Sequence, residues 1–226
     1  PTGFRTRCDA RDAARDIMML SELASDADRA VRLNAPEPDA AARLRLQIYC
    51  TGEFLPLSDV VPVLENFGFI VLKEIPTALA DGKGNIHEFL VEAPSIVTDG
   101  ILEDGPTIES AIAAVLSGHA ENDAFNNLVV RLGVEPRAVV LFRAWFRYLR
   151  QTGVPYGLST FAAALANAPV VTKSLIALFD ARLDPIHHSE ARADQARSNI
   201  RDGLTNVQAI DDDRMLRRLW GVIEAI

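Results

Sequence analysis

The sequence is poor in cysteine, in uninterrupted apolar runs and in positive charge, and each shortage removes a class of function. Of its 226 residues only Cys8 and Cys50 are cysteines. They show no paired spacing, so neither a zinc site nor a disulfide framework is expected, and the expected location is cytoplasmic. No apolar run approaches the ~18 residues of a membrane span, and Pro1 to Asp12 lacks the apolar stretch of a secretory signal, so no membrane partner is expected. Lysine and arginine number 23 against 31 aspartates and glutamates, a net charge of -8 that repels nucleic-acid phosphates. Also missing is the glycine-rich strand-turn-helix that brings backbone amides to a dinucleotide pyrophosphate. Gly82-Lys83-Gly84 is the one glycine pair of that kind, and it reads as a turn between two strands. No cofactor and no metal are therefore expected in this chain.

What is present is an ordinary globular balance, 49% hydrophobic and 24% charged, on a chain long enough to bury a real core. Ala13, Ile17, Leu20 and Ala24 recur at helical spacing behind Asp9 as cap. Leu44, Leu46, Ile48 and Cys50 alternate with Arg43, Arg45, Gln47 and Tyr49, the pattern of a half-buried strand. Leu57, Val60, Val61 and Leu64 mark a helix capped by Ser58, with Pro62 in its first turn and Gly68 as terminator. Phe69 to Ile75 and Ile86 to Ala93 pair as a hairpin across Asp81 to Asn85. Ile108, Ile112, Val115 and Leu116 mark a further helix. The order strand, helix, strand, strand, helix is most of a ferredoxin-like split βαβ unit, whose fourth strand is expected from the amino-terminal side, at Ala30 to Leu33. From Ala120 onward the patterns are helical, broken at Gly133, Gly153 to Pro155, Pro169 and Pro185. Stripes at Val171, Leu175, Leu178 and Phe179 and at Leu216, Leu219, Trp220 and Ile223 need one another for burial. The polar stretch Glu190 to Asn206 reads as an exposed helix or connector. The expectation is an α+β chain: an amino-terminal helix and α/β domain over 1–104, then an all-α helical bundle over 105–226.

Candidate chemistry is sparse. His119, Glu121 and Asp123 are spaced by two, which does not place them on one helical face, so they read as capping groups at a helix junction rather than ligands. His187 and His188 read as a solvated pair. Arg143, Arg147 and Arg150 fall at i, i+4 and i+7, a charged helix edge or a docking edge for an acidic surface. Asp211, Asp212 and Asp213 complement a helix dipole.

The run Gly118 to Leu128 (GHAENDAFNNL), continued by Arg143 to Gln151 (RAWFRYLRQ), resembles the large bacterial NAD-specific glutamate dehydrogenases. So do Leu57 to Gly68 (LSDVVPVLENFG), Leu178 to Pro185 (LFDARLDP) and Asp211 to Leu219 (DDDRMLRRL), in the same order. The resemblance implies a middle piece, cut at both ends, between a regulatory region and a catalytic domain. On that basis the parent oxidises L-glutamate to 2-oxoglutarate and ammonia with NAD, while the piece itself lacks the family's glycine-rich lysine segment and is non-catalytic. Its implied partners are the remaining domains of the parent, in a homo-oligomer. The βαββα pattern also resembles ACT domains, which implies an amino-acid effector near the strand-to-helix junction Thr51 to Asp59. Thr51, Gly52, Ser58 and Asp59 are the candidate residues, with backbone amides for a carboxylate and Ser58 or Asp59 for an amine. The junction departs from the ACT pattern in being longer and in having no glycine after Pro56. An autonomous amino-acid sensor and a protein interaction module are the alternative readings.

Overall fold

The computed structural model describes residues 10–34, 43–79, 83–94, 101, 103–186 and 188–226, and the chain divides into two units, 1–126 and 127–226. The first contains helix α1 (Ala10–Ser21), strands β1 (Ala30–Asn34) and β2 (Arg43–Cys50), helix α2 (Leu57–Asn66), strands β3 (Ile70–Ala78) and β4 (Asn85–Glu92), helix α3 (Gly105–Leu116) and a 3-10 turn at Ala124–Asn126. The strands form one antiparallel sheet in the order β1-β2-β4-β3. This is the split βαβ arrangement with its fourth strand drawn from before the first, as the sequence led us to expect.

β1 works as an edge because α3 closes it. The Leu33 amide donates to Glu109 Oε1 at 2.7 Å, and the Arg29 amide donates to Ser117 Oγ at 3.0 Å. Ile108, Ala111, Ile112 and Val115 of α3 are buried. Helix α3 therefore belongs with the sheet, and the division falls after Asn126 rather than at the expected 104/105. The other edge, β3, carries a bulge between Val71 and Lys73 and a proline, Pro76, both of which discourage pairing with a further strand.

On one sheet face Leu44, Leu46, Ile48, Phe89 and Val91 are buried with Val60, Val63 and Leu64 of α2, each contributing roughly 1.5–3 kcal/mol by burial. The other face carries the cross-strand ion pairs Arg43–Glu92 and Arg45–Glu88, and at one end Tyr49 and Ile86 pack with Leu20 of α1. Here the helical stripe read from sequence is corrected. Ile17 is 65% exposed and Asp16 is buried in its place, because the Tyr49 hydroxyl on the sheet donates to Asp16 Oδ1 at 2.7 Å. The expected cap, Asp9, lies outside the described residues.

Two details of α2 also differ from expectation. Its cap is Pro56, without a side-chain hydrogen bond, so Ser58 lies inside the first turn, and Pro62 stands in the helix interior. Gly68 ends the helix as expected, at a φ of 92°. The hairpin turn at Asp81 and Gly82 lies outside the described residues.

The second unit contains helices α4 (Asn127–Leu132), α5 (Pro136–Gln151), α6 (Leu158–Asn167), α7 (Pro169–Leu183), α8 (Glu190–Leu204) and α9 (Ile210–Ala225). Four of the five breaks fall at the expected Gly133, Gly153 to Pro155, Pro169 and Pro185, while the fifth, at 205–209, has neither glycine nor proline. No single helix among the described residues is long and apolar enough to cross a membrane; α6 and α7 together pass that test but bend by 99°. The stripes of α7 and α9 are buried at Val171, Leu175, Leu178, Leu216, Leu219 and Ile223, while Phe179 and Trp220 are only half-buried. Helix α8 is not the exposed connector expected from its polarity. It buries Ala193, Ala196, Ile200 and Leu204 and packs along α7, so closely that a Cβ on Gly203 would lie 2.8 Å from Val171 Cγ2. Arg143 is buried while Arg147 and Arg150 are exposed, so the three do not form one charged edge. Asp211, Asp212 and Asp213 occupy the first turn of α9, as expected.

Two ionisable groups tie pH to these contacts. Burial, and then the hydrogen bond to Asp16, hold the Tyr49 phenol above the ordinary tyrosine range. The neutral phenol is favoured by folding, so its contribution is complete below ~10, where the unfolded chain's tyrosine ionises, and falls as pH rises beyond that. Tyr49→Phe should lower stability by about 1–3 kcal/mol at neutral pH by removing one buried hydrogen bond from Asp16. In urea unfolding it should also lose stability less steeply above pH ~10 than the parent chain. Hydrogen bonds from Arg197 hold the Glu224 carboxyl below its usual range, helped by the Trp220 indole and opposed by burial. That contribution is present above the unfolded carboxylate pKa and is lost as pH falls through the folded one. Glu224→Gln should therefore flatten the stability profile as pH falls below ~4.5, measured by the denaturant midpoint.

Candidate effector site

The junction between β2 and α2 is held from three sides. Thr51 Oγ1 donates to Asp26 Oδ1 at 2.9 Å, and the Asn85 side-chain amide donates to the Gly52 carbonyl at 3.1 Å. A Cβ on Gly52 would lie 3.0 Å from both the Cβ and the carbonyl oxygen of Asp26, so this position needs glycine for close approach. The Cys50 thiol lies 3.8 Å from the carbonyl oxygens of Glu53 and Asn85. Burial pushes that thiol up, against the opposing effects of Arg29 and Asn85, which leaves it a poor nucleophile.

The deepest support is His87, on the same face of β4 as Phe89 and Val91 and wholly buried. Its Nε2 faces the Leu55 amide at 3.4 Å and its Nδ1 faces Glu74 Oε1 at 2.9 Å. An amide can only donate, so Nε2 is the acceptor and the proton sits on Nδ1, which donates to Glu74. The Phe54 ring covers the imidazole with centroids 4.2 Å apart.

The four sequence candidates fall into two groups. Thr51 and Gly52 meet at Asp26, whereas Ser58 and Asp59 are exposed on the first turn of α2, where Ser58 Oγ donates to Asp59 Oδ1 at 3.2 Å. Pro56 supplies no side-chain cap, but its carbonyl accepts from the Asp59 and Val60 amides at 3.0 and 3.3 Å, so the amides it leaves to other partners are those of Leu57 and Ser58. Asp26, Glu74, Asn85 and His87 were not singled out from the sequence. His87 had left a signal, an imidazole at an apolar-face position of an alternating strand. Of His119, Glu121 and Asp123, read as capping groups, Asp123 is seen in that role, its Oδ1 accepting from the Phe125 amide at 3.0 Å, and beside it Asn122 Oδ1 accepts from Asn66 Nδ2 at 2.9 Å. His188 is exposed, and His187 lies outside the described residues.

If His87 pins the junction, His87→Ala should cost about 3 kcal/mol, since it removes a buried ring and leaves Glu74 and the Leu55 amide unpaired. Thr51→Val, which cuts an exposed bond, should cost less than about 1 kcal/mol. Urea midpoints of the two variants measure both, and the reverse order would place the main support at Asp26.

Two family models match the chain. The ACT3 domain of glutamate dehydrogenase matches residues 28–99 and its helical motif 3 matches residues 120–185. Three relatives carry the name NAD-specific glutamate dehydrogenase. The one from Halomonas elongata is 33% identical over the whole chain, that from Pseudomonas aeruginosa 31% over the whole chain, and that from Mycobacterium tuberculosis 31% over 95% of it. In each case the matched stretch spans 14% of the relative's own length. With an ACT-type sheet in the first unit and helices throughout the second, the chain belongs to the glutamate dehydrogenase family, carrying its ACT3 domain and helical motif 3.

Proposed function

We propose that this chain is a non-catalytic regulatory and structural segment of an NAD-dependent glutamate dehydrogenase. On this reading the parent transfers a hydride from L-glutamate to NAD, and water hydrolyses the resulting imine to 2-oxoglutarate and ammonia, with NAD held outside this segment. The observation that carries the proposal is the match along the whole chain to 14% of the length of NAD-specific glutamate dehydrogenases. The missing glycine fingerprint supports the non-catalytic part. The segment acts in the cytoplasm, within a homo-oligomer, and its partners are the remaining domains of the parent.

The α/β unit senses an amino acid at the β2–α2 junction. The Leu57 and Ser58 amides at the start of α2 take its carboxylate, and the Asp59 carboxylate, held by Ser58 Oγ, takes its ammonium. Thr51 and Gly52, packed on Asp26, hold the start of the junction in place.

Thermal unfolding of the chain against a panel of amino acids, 2-oxoglutarate and NAD tests this. A ligand at a hundred times its dissociation constant stabilises the native state by ~2.7 kcal/mol. One amino acid should raise the midpoint, and Asp59→Asn should abolish the rise. No shift with any amino acid sinks the sensing role, and reduction of NAD by glutamate with the chain alone sinks the non-catalytic one.

A further inference from the structure

In the helical unit α5 and α9 border a groove of about 720 Å³, within the range of small-molecule sites. Trp145, Tyr148 and Leu149 of α5 face Gly221 and Val222 of α9 across it, and Arg218 lines it as well. Along α5 it runs from Ala144 to Thr152, eight residue steps or about 12 Å.

Two features of α9 make this more than an apolar dent. Arg214 and Arg217 pair with Asp211 and Asp213, at 3.5 and 2.8 Å, whereas Arg218 pairs with no carboxylate among the described residues. With no carboxylate claiming it among the described residues, Arg218 presents a planar guanidinium fork, which matches a carboxylate in bidentate fashion. Gly221 stands in the helix interior, where glycine is disfavoured relative to alanine. No atom lies within 4 Å of a Cβ built on it, so its own neighbours do not require glycine there. Its absent side chain leaves the wall of the groove flat.

We propose that this groove binds a medium-chain acyl carboxylate, the tail lying between α5 and α9 and the carboxylate paired with Arg218. The groove's length sets the tail, its apolar walls remove that tail from water, and its free cation sets the charge of the head. The site lies in the helical unit and is independent of the amino-acid site proposed for the α/β unit.

Isothermal titration of the whole chain with octanoate and with 1-octanol, its neutral counterpart, tests the assignment. Octanoate should bind one per chain, at least ten-fold more tightly than octanol. Arg218→Gln should remove that ten-fold preference and leave octanol unchanged. Gly221→Leu, whose side chain enters open space, should abolish binding of both without lowering the thermal midpoint. Equal affinities in the parent chain, an Arg218→Gln variant that keeps its preference, or no heat from either compound would each overturn the proposal. So would sedimentation of the chain as a dimer that Gly221→Leu converts to a monomer, which would make the groove a contact between copies.

Discussion

The α/β unit depends on closing the outer edge of β1. A strand recruited from the amino-terminal side presents amides that must find acceptors, and α3 supplies them through Glu109 and Ser117. That requirement explains why α3 cannot be separated from the sheet although it precedes an all-helical stretch. It also leaves β3 as the exposed edge, and β3 is the strand that carries a bulge, a lysine and a proline. One edge is closed by partner atoms and the other is spoiled for pairing, so the four strands end as four.

Most of the fold was legible where periodicity alone decides. Alternation located β2 and the hairpin, glycine and proline located four of the five helix breaks in the second unit, and the missing strand was found at β1 because the split βαβ order required it. The misses have different causes, and the first is a single polar partner that overrode a pattern. Asp16 displaces Ile17 from the buried face of α1 because Tyr49 needs an acceptor. Arg143 is buried although spacing alone put it on a basic edge. In α8 the misreading is one of size, since alanines and Gly203 allow close packing that a hydrophobicity pattern does not reveal. The contacts that hold the β2–α2 junction were illegible in the sequence. Asp26 lies 25 residues from Thr51 in sequence and His87 lies 32 from Leu55, and only strand pairing brings them together.

The polar groups of the junction are largely engaged with one another. Thr51 is bound to Asp26, the Gly52 carbonyl to Asn85, and the Leu55 amide to His87. A ligand therefore gains little by replacing these bonds, because each exchange returns about what it removes. Net affinity would have to come from groups not already engaged there, and of the first four amides of α2 those of Leu57 and Ser58 are the two that the Pro56 carbonyl does not take. The Asp59 carboxylate beside those amides sets a sign rule: a simple anion is repelled there, while a zwitterion meets an amide end and an acid end together.

Transmission from such a site requires two arrangements of the protein with different ligand affinity. β2 cannot supply the second, since Leu46 to Tyr49 are buried and paired on both sides. The junction that follows can, because its ties are few: an exposed bond at Thr51, a bond at Gly52 and a long 3.4 Å bond at Leu55. Coupling energies of about 1–3 kcal/mol are ordinary in allosteric proteins, which is the scale of one or two such ties. The residue that decides between holding and release is His87. Its one acceptor nitrogen faces the Leu55 amide and its one donor faces Glu74, so the imidazole joins the junction to β3. A ligand that drew the start of α2 away from β4 would break the Leu55 bond while the Glu74 bond remained. The first displacement would therefore fall on the junction, with the sheet left intact.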